Sequence, residues 1–516
     1  MRWRRFSTGW ALATASLSTL AGGALPGGTG ELRAQEAVIA SSSDPIENGS
    51  ELAARLERLL ADPALTRAHV GLIVQVAETG EVLFATAAER RFTPASNTKI
   101  VTAAVALEEL GSDYRWPTRL VAAGPVQGGR LEGSLWVIGS GSPKLKRADV
   151  ASWASALRAA GISEIAGDVI GDDRAFDAPQ WGIGWMWDDL HAGWAGGVSG
   201  LQLHPSTARA YLFPGPAVGD PAQLRFRASD LPIAMENRVR TGAPDSDVQL
   251  RFVPPPEGGM DELRGWIPAN ADSVALFLAP RHPTPYLLRH LGKVLADSGI
   301  AVGGELRRVR EGEAPTDSTW GREFLSDSLG AVLGDLLKPS DNQMAESVLR
   351  TLGSEEGTSG SDLQGLEVVQ AALSEWGIEP GAIDLMDGSG MSRYNEVTPG
   401  AMNRLLRAMW RHPEYRVWLD AMPIAATDGT LRQRMIGTPA ASNVRAKTGS
   451  LSSVRALSGY VTDGDGETLI FSLLLNGYDS PGDVAVALED LLVEQISLYH
   501  RPVEIGWPEF REQADQ

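Results

Sequence analysis

The run from Thr93 to Gly111 constrains this chain most. Ile100 to Leu107 carries no charge, so the spacing predicts one helix that is apolar on every side and belongs in a domain interior. Pro94 suits its first turn, where a missing N–H costs nothing, and Gly111 suits the position just past its end. Two side chains do not fit such a helix, Ser96 and Lys99. Lying three apart, they share one face. Burial lowers the pKa of an amine, and a neutral amine beside a hydroxyl is a general base beside a nucleophile. The alternative at this point is a surface helix start with an N-terminal serine and a solvated lysine.

The chain has 516 residues, enough for two or three domains, and 43% of them are hydrophobic, enough for a sizeable core. A net charge of -19 argues against nucleic acid and anionic membrane surfaces as partners. The absence of cysteine excludes thiol catalysis, thiolate metal sites, disulfides and a cysteine-borne lipid anchor. At the N-terminus, Arg2, Arg4 and Arg5 precede an uncharged apolar run from Gly9 to Leu25, and Ala24 or Ala34 can end the signal. The run is short for a membrane span. Residues 1–34 are therefore expected to be an export signal, with an uncleaved anchor as the alternative, and 35–50 a mobile, polar segment.

Along the chain, Glu51 to Leu60 has helical periodicity, and Val70 to Val76 and Glu81 to Ala85 read as strands. Beyond Gly111 the texture turns strand-rich and proline-rich, up to about residue 310. This stretch includes the tryptophan-glycine run Trp181 to Leu190, which by itself reads as an aromatic core loop. Helices are expected over Ser326 to Leu337, Asn342 to Leu352, Ser361 to Trp376, Pro399 to Trp410 and Asp483 to Tyr499. Pro339 disfavours helix at Lys338, so Ser340 to Asn342 sit on a bend. Arg455 to Thr462 and Thr468 to Asn476 form an antiparallel pair, joined by an acidic turn that lacks the full ligand set of a calcium loop.

Three short patterns stand in order: Ser96-x-x-Lys99, Ser340-Asp341-Asn342 and Lys447-Thr448-Gly449. Lysine occurs only at Lys99, Lys144, Lys146, Lys293, Lys338 and Lys447, and two of these fall in the patterns. The trio resembles that of penicillin-binding proteins and class A β-lactamases. With its long insert, the chain resembles the D-alanyl-D-alanine carboxypeptidase/endopeptidases, the class C low-molecular-mass penicillin-binding proteins. Trp185-x-Trp187-Asp188-Asp189-Leu190, Asp387 to Asn395 and Asp428-Gly429-Thr430-Leu431 are also family-like. Gly139-Ser140-Gly141-Ser142-Pro143 departs from the family turn, with Ser142 where Asp is usual.

The resemblance implies an α/β (α+β) fold: a serine β-lactamase/transpeptidase-like domain, an antiparallel sheet flanked by helices, formed by 51–115 and 311–510 around an insert at 116–310. It implies acyl transfer without metal or cofactor on peptidoglycan peptides, with β-lactams as covalent inhibitors, in an exported, periplasmic protein, soluble or loosely membrane-associated. Chemistry and resemblance together give the roles. Ser96 attacks the carbonyl between two D-alanines, and Lys99 accepts its proton. Ser340 hydrogen-bonds Lys99 and passes a proton to the leaving amine. Asn342 orients Lys99 or holds a substrate amide. Lys447 supplies positive charge near Ser340, and with Thr448 binds the terminal carboxylate. The N–H groups of Ser96 and Ser450 form the oxyanion hole. Gly449 lets substrate approach the strand, Asp189 reaches the amino group of the diamino acid, and Arg393 is a candidate substrate contact.

A Ser-His-Asp hydrolase and a metallopeptidase are disfavoured, because the histidines fall in no recognisable motif. A β-lactamase-like hydrolase shares the motifs but lacks so large an insert. A non-catalytic peptidoglycan-binding protein has no need of Ser96, Lys99, Ser340, Asn342 and Lys447 together.

Overall fold

The computed structural model describes residues 45–46, 48–176, 179–253, 260–355 and 359–501. The expected signal at 1–34 and the segment up to residue 44 lie outside them. No helix among the described residues is long and apolar enough to cross a membrane.

Five antiparallel strands make the central sheet: β1 (His69–Val76), β2 (Val82–Thr86), β3 (Arg445–Leu451), β4 (Val454–Thr462) and β5 (Thr468–Asn476), in the order β2-β1-β5-β4-β3. Segments about 400 residues apart in sequence therefore meet in mid-sheet, where β1 pairs with β5 from His69–Asn476 to Val76–Leu469. Both faces are apolar, and period-2 alternation divides the side chains between them. Ala456, Tyr460, Ile470 and Leu474 join one core cluster, while Leu457, Val461, Leu469, Phe471 and Leu473 join the other.

The first face is covered by helices α2 (Thr98–Leu110), α3 (Leu329–Leu337), α4 (Asn342–Glu355), α5 (Asp362–Glu375) and α6 (Pro399–Arg411). The second is covered by α1 (Gly49–Leu60) and α7 (Gly482–Ser497), where Leu52, Leu56, Leu492, Val493 and Ile496 are buried. Ile46 is buried here too and bridges to Tyr499. Every residue of α2 from Thr98 to Leu107 is buried, so this helix is central, as its composition requires.

The run from Thr93 to Gly111 is not one continuous helix. A 3-10 turn, Ala95–Asn97, precedes α2, and Ala95 takes a left-handed φ of 48°. That kink projects Ser96 from a turn, half-buried, while Lys99 enters the first helical turn fully buried.

Two compact units are present. Among the described residues, one comprises Tyr211–Arg225 and Ala234–Leu276. Its sheet pairs Glu236–Gly242 in parallel and Gln249–Val253 in antiparallel fashion with Glu262–Pro268. Val239, Leu263 and Ile267 are buried under it. The other unit holds the central sheet and the rest of the insert, so the expected 116–310 region is divided between the two. In this larger unit, a five-stranded sheet runs Leu306–Arg308, Val169–Asp172, Ser134–Ile138, Pro117–Ala123, Ser318–Leu325. The helix Pro283–Asp297 packs on it and on the helix Arg147–Ala159.

Candidate active site

The turn bearing Ser96 is fixed from three sides. Asn97 donates to Ser458 Oγ on β4 at 2.8 Å. Thr98 Oγ1 closes back on Ala95 O at 2.9 Å, and Asn395 Nδ2 reaches Thr98 Oγ1 at 3.3 Å. The third side is β3: a Cβ on Gly449 would lie 2.5 Å from Pro94 O. Gly449, expected to admit substrate, also makes room for Pro94 and Ala95 of the Ser96 turn and for Ala456 on β4. Gly390, at φ +86°, does the same from the opposite loop, where a Cβ would lie 1.9 Å from Ala95 O.

Lys99 has no exposed surface, and its Nζ donates to Ser96 Oγ at 3.0 Å, Asn342 Oδ1 at 2.6 Å and Ser389 O at 2.6 Å. These three bonds use all the donors of an ammonium. Burial lowers its pKa to about 8, against the raising effect of Asp387, Asp341 and Glu346. The amine thus sits near the point where it exchanges its proton at moderate pH.

Ser340, expected beside Lys99, accepts instead from Lys447 Nζ at 2.8 Å. Its φ of 65° puts a non-glycine residue in the left-handed region, at a strain of about 1–3 kcal/mol. Lys447 also donates to Thr448 O at 2.8 Å. It is fully buried, and burial, then the neighbouring Lys99, pushes its pKa well below the usual value. The positive charge assigned to it therefore needs an anion to hold it. Thr448 Oγ1 donates to Thr430 Oγ1 at 2.8 Å, and Arg455 Nη1 holds Ser450 Oγ at 2.5 Å. Lys338 pairs with Asp428, which seats the Asp428–Thr430 turn on the Ser340 bend.

The insert reaches the site along α4. Arg350 Nη2 donates to Pro179 O at 2.6 Å, Gln202 Nε2 to Ser347 Oγ at 2.8 Å and Gln343 Nε2 to Gly197 O at 3.2 Å. Asn342 Nδ2 donates to Trp194 O at 2.9 Å, which leaves Oδ1 facing Lys99. His204 Nε2 meets Asp341 Oδ2 at 2.9 Å. Burial of Asp341 acts to raise its pKa, but the His204 hydrogen bond outweighs it with help from the Met344 N–H and Lys99, and the net shift is downward.

The tryptophan-glycine run packs against the Asp387 loop. Trp185 Nε1 donates to Asp387 Oδ2 at 2.9 Å, while Met186, Trp187 and Trp194 remain largely exposed. Asp189, half-buried near its end, has its pKa raised to about 6 by burial and then by Asp188, with Arg393 opposing. Arg393 is exposed and donates to Ser452 O at 3.1 Å, just past the end of β3. So Asp189 and Arg393 lie within electrostatic reach of each other.

Sequence reasoning missed the Ser389 and Trp194 carbonyls, which carry no side-chain signal. It also missed His204 and Glu346. Glu346 carried no such signal, since the helix Asn342–Glu355 is amphipathic and polar enough that an acid in it reads as solvated.

An antiparallel sheet with helices on both faces, carrying its serine on the turn before a buried helix, is the serine β-lactamase/transpeptidase-like fold. Residues 52–493 match the model of the D-Ala-D-Ala carboxypeptidase 3 (S13) family, and the chain belongs to that family of hydrolases. A D-alanyl-D-alanine carboxypeptidase of Actinomadura sp. (strain R39) is 32% identical over 467 residues, covering 87% of this chain and 85% of that protein. The crystal structure of penicillin binding protein 4 (dacB) from Haemophilus influenzae superposes with a TM-score of 0.78 at 27% identity, covering 87% of this chain and 99% of that one. The same protein complexed with a novel beta-lactam gives a TM-score of 0.72 at 25% identity, covering 86% and 99%.

Proposed function

We propose that this protein is an exported, periplasmic serine D-alanyl-D-alanine carboxypeptidase, endopeptidase or both. It acts on peptidoglycan stem peptides and cross-links through a Ser96 acyl-enzyme and is acylated by β-lactams. The observation that carries this reading is the buried Lys99 amine 3.0 Å from Ser96 Oγ, with a pKa lowered to about 8.

In the first step, neutral Lys99 takes the Ser96 hydroxyl proton as Oγ attacks the D-alanyl carbonyl. The N–H groups of Ser96 and Ser450 bind the developing oxyanion. The C–N bond breaks, and the proton that Lys99 took from Ser96 passes to the departing amine by way of the Ser340 hydroxyl, which Lys447 holds in place, so that Lys99 is neutral again. Water then hydrolyses the ester, with Lys99 again as base. Lys447 and Thr448 bind the terminal carboxylate, whose charge restores the ammonium form that burial disfavours. Asn342 keeps Oδ1 on Lys99 and has a second N–H for the substrate amide. Asp189 receives the free amine of the diamino acid, with Arg393 at the rim.

Incubation with a fluorescent penicillin, followed by intact-mass measurement, tests acylation. Digestion of purified peptidoglycan tests the substrate: free D-alanine reports carboxypeptidase action and cleaved cross-links report endopeptidase action. Absence of both products from a protein that takes up penicillin would reject the peptidoglycan reading.

A further inference from the structure

Glu346 has no place in the steps above, yet it is fully buried one helical turn beyond Asn342. Its Oε1 accepts the N–H groups of Gly388 at 3.1 Å and Ser389 at 2.9 Å, and Oε2 accepts that of Gly388 at 3.2 Å. Ser389 thus gives its N–H to Glu346 and its carbonyl to Lys99. A second acid fixes the same turn: Asp387 accepts from Gly390 N at 2.8 Å, Ser392 N at 2.8 Å, Asn395 Nδ2 at 2.6 Å and Trp185 Nε1 at 2.9 Å.

We propose that Glu346 is a positioning residue for the base: it anchors the Gly388–Ser389 backbone so that the Ser389 carbonyl aims Lys99 at Ser96, and its carboxylate adds to the negative charge that Lys99 faces. The proposal rests on Lys99 being that base. Burial, then Asp387 and Asp362, raises the pKa of Glu346 to about 8, while the Ser389 hydrogen bond and Arg350 favour its ionised form. Arg350, itself fully buried, is occupied by Asp362 at 2.6 Å and so only partly compensates Glu346. Of the charged groups around Lys99, Asp387, Asp341 and Glu346 all raise its pKa. Ionised Glu346 therefore adds to the hold of Asp387 and Asp341 on the Lys99 proton, and neutral Glu346 withdraws its share.

The test is the pH profile of single-turnover acylation by benzylpenicillin for wild type, Glu346→Gln and Glu346→Asp. Gln keeps an acceptor for both N–H groups and fixes the neutral state that Glu346 leaves as pH rises through about 8, so the limb should match wild type below about pH 7 and then reach its plateau at lower pH than wild type. Asp keeps the charge but withdraws the carboxylate, so the limb should stay while the plateau falls by about 10-fold or more. A purely structural role moves neither limb. A Gln limb that coincides with wild type overturns the proposal. Where the Gln variant does not fold, an Asp variant with a full plateau, or with a shifted limb, overturns it as well. A wild-type profile flat between pH 6 and 9 refutes Lys99 as the base and this proposal with it, whereas a wild-type limb left unmoved by Gln refutes the Glu346 assignment alone.

Discussion

Acylation by penicillin should depend on one proton, that of Lys99. Its pKa is lowered from 10.5 to about 8. At pH 7 that raises the neutral fraction from about 0.03% to about 10%, a gain of roughly 300-fold, equivalent to about 3.4 kcal/mol. The single-turnover acylation rate should therefore climb about tenfold per pH unit on the acid side and level off above about 8. The same shift acts on stability with a definite sign. The folded pKa lies below the unfolded one, so between about 8 and 10.5 the unfolded chain binds a proton that the folded chain does not. Stability from this group rises with pH across that window, and below it the full penalty applies. Lys99→Arg should lose roughly 1000-fold or more in acylation, because arginine stays protonated. Lys99→Met should be equally inert and should lose the stability gain between about pH 8 and 10. Stopped-flow fluorescence with a labelled penicillin reads the rate, and urea unfolding at the two pH values reads the linkage. A flat rate profile, or a Lys99→Arg variant within tenfold of wild type, would refute the reasoning.

Ser96→Ala should fold normally and show no penicilloyl mass adduct after prolonged incubation; an adduct on this variant would remove Ser96 as the nucleophile. Asp189→Asn should lower kcat/KM about 10-fold or more for a stem peptide with a free diamino-acid amine and leave benzylpenicillin acylation unchanged; equal loss on both excludes an amine contact. Because Asp189 must be ionised and its pKa is raised to about 6, the preference for amine-bearing peptide should fade as pH falls through that value. Gly390→Ala places a Cβ 1.9 Å from Ala95 O at φ +86°, so it should displace the Ser96 turn and lower both Tm and acylation, read by calorimetry and penicillin labelling.

Much of the site was legible because the chemistry needs residue types that clash with their surroundings. Lysine in a small, apolar helix, a polar bend after Pro339 and a rare lysine before Thr448-Gly449 are each anomalies, and their order along the chain defines a family resemblance. The central helix followed from an all-apolar run, and the strands β4 and β5 from periodicity that matches their observed span nearly to the residue. Local pattern did not reveal the kink at Ala95, because a left-handed alanine is imposed by packing against Gly390 and Gly449 rather than by its own preference. Pairing was equally out of reach. Ser340 faces Lys447 rather than Lys99 because Asn342 and Ser389, far apart in sequence, have already filled the donors of Lys99. The sequence alone thus determined which side chains are candidates for the chemistry, since a serine and a lysine three apart in an apolar run are written in composition and spacing. Only the tertiary structure decided which atom each group holds, because carbonyls, loop N–H groups and insert contacts gain their direction when distant segments pack together.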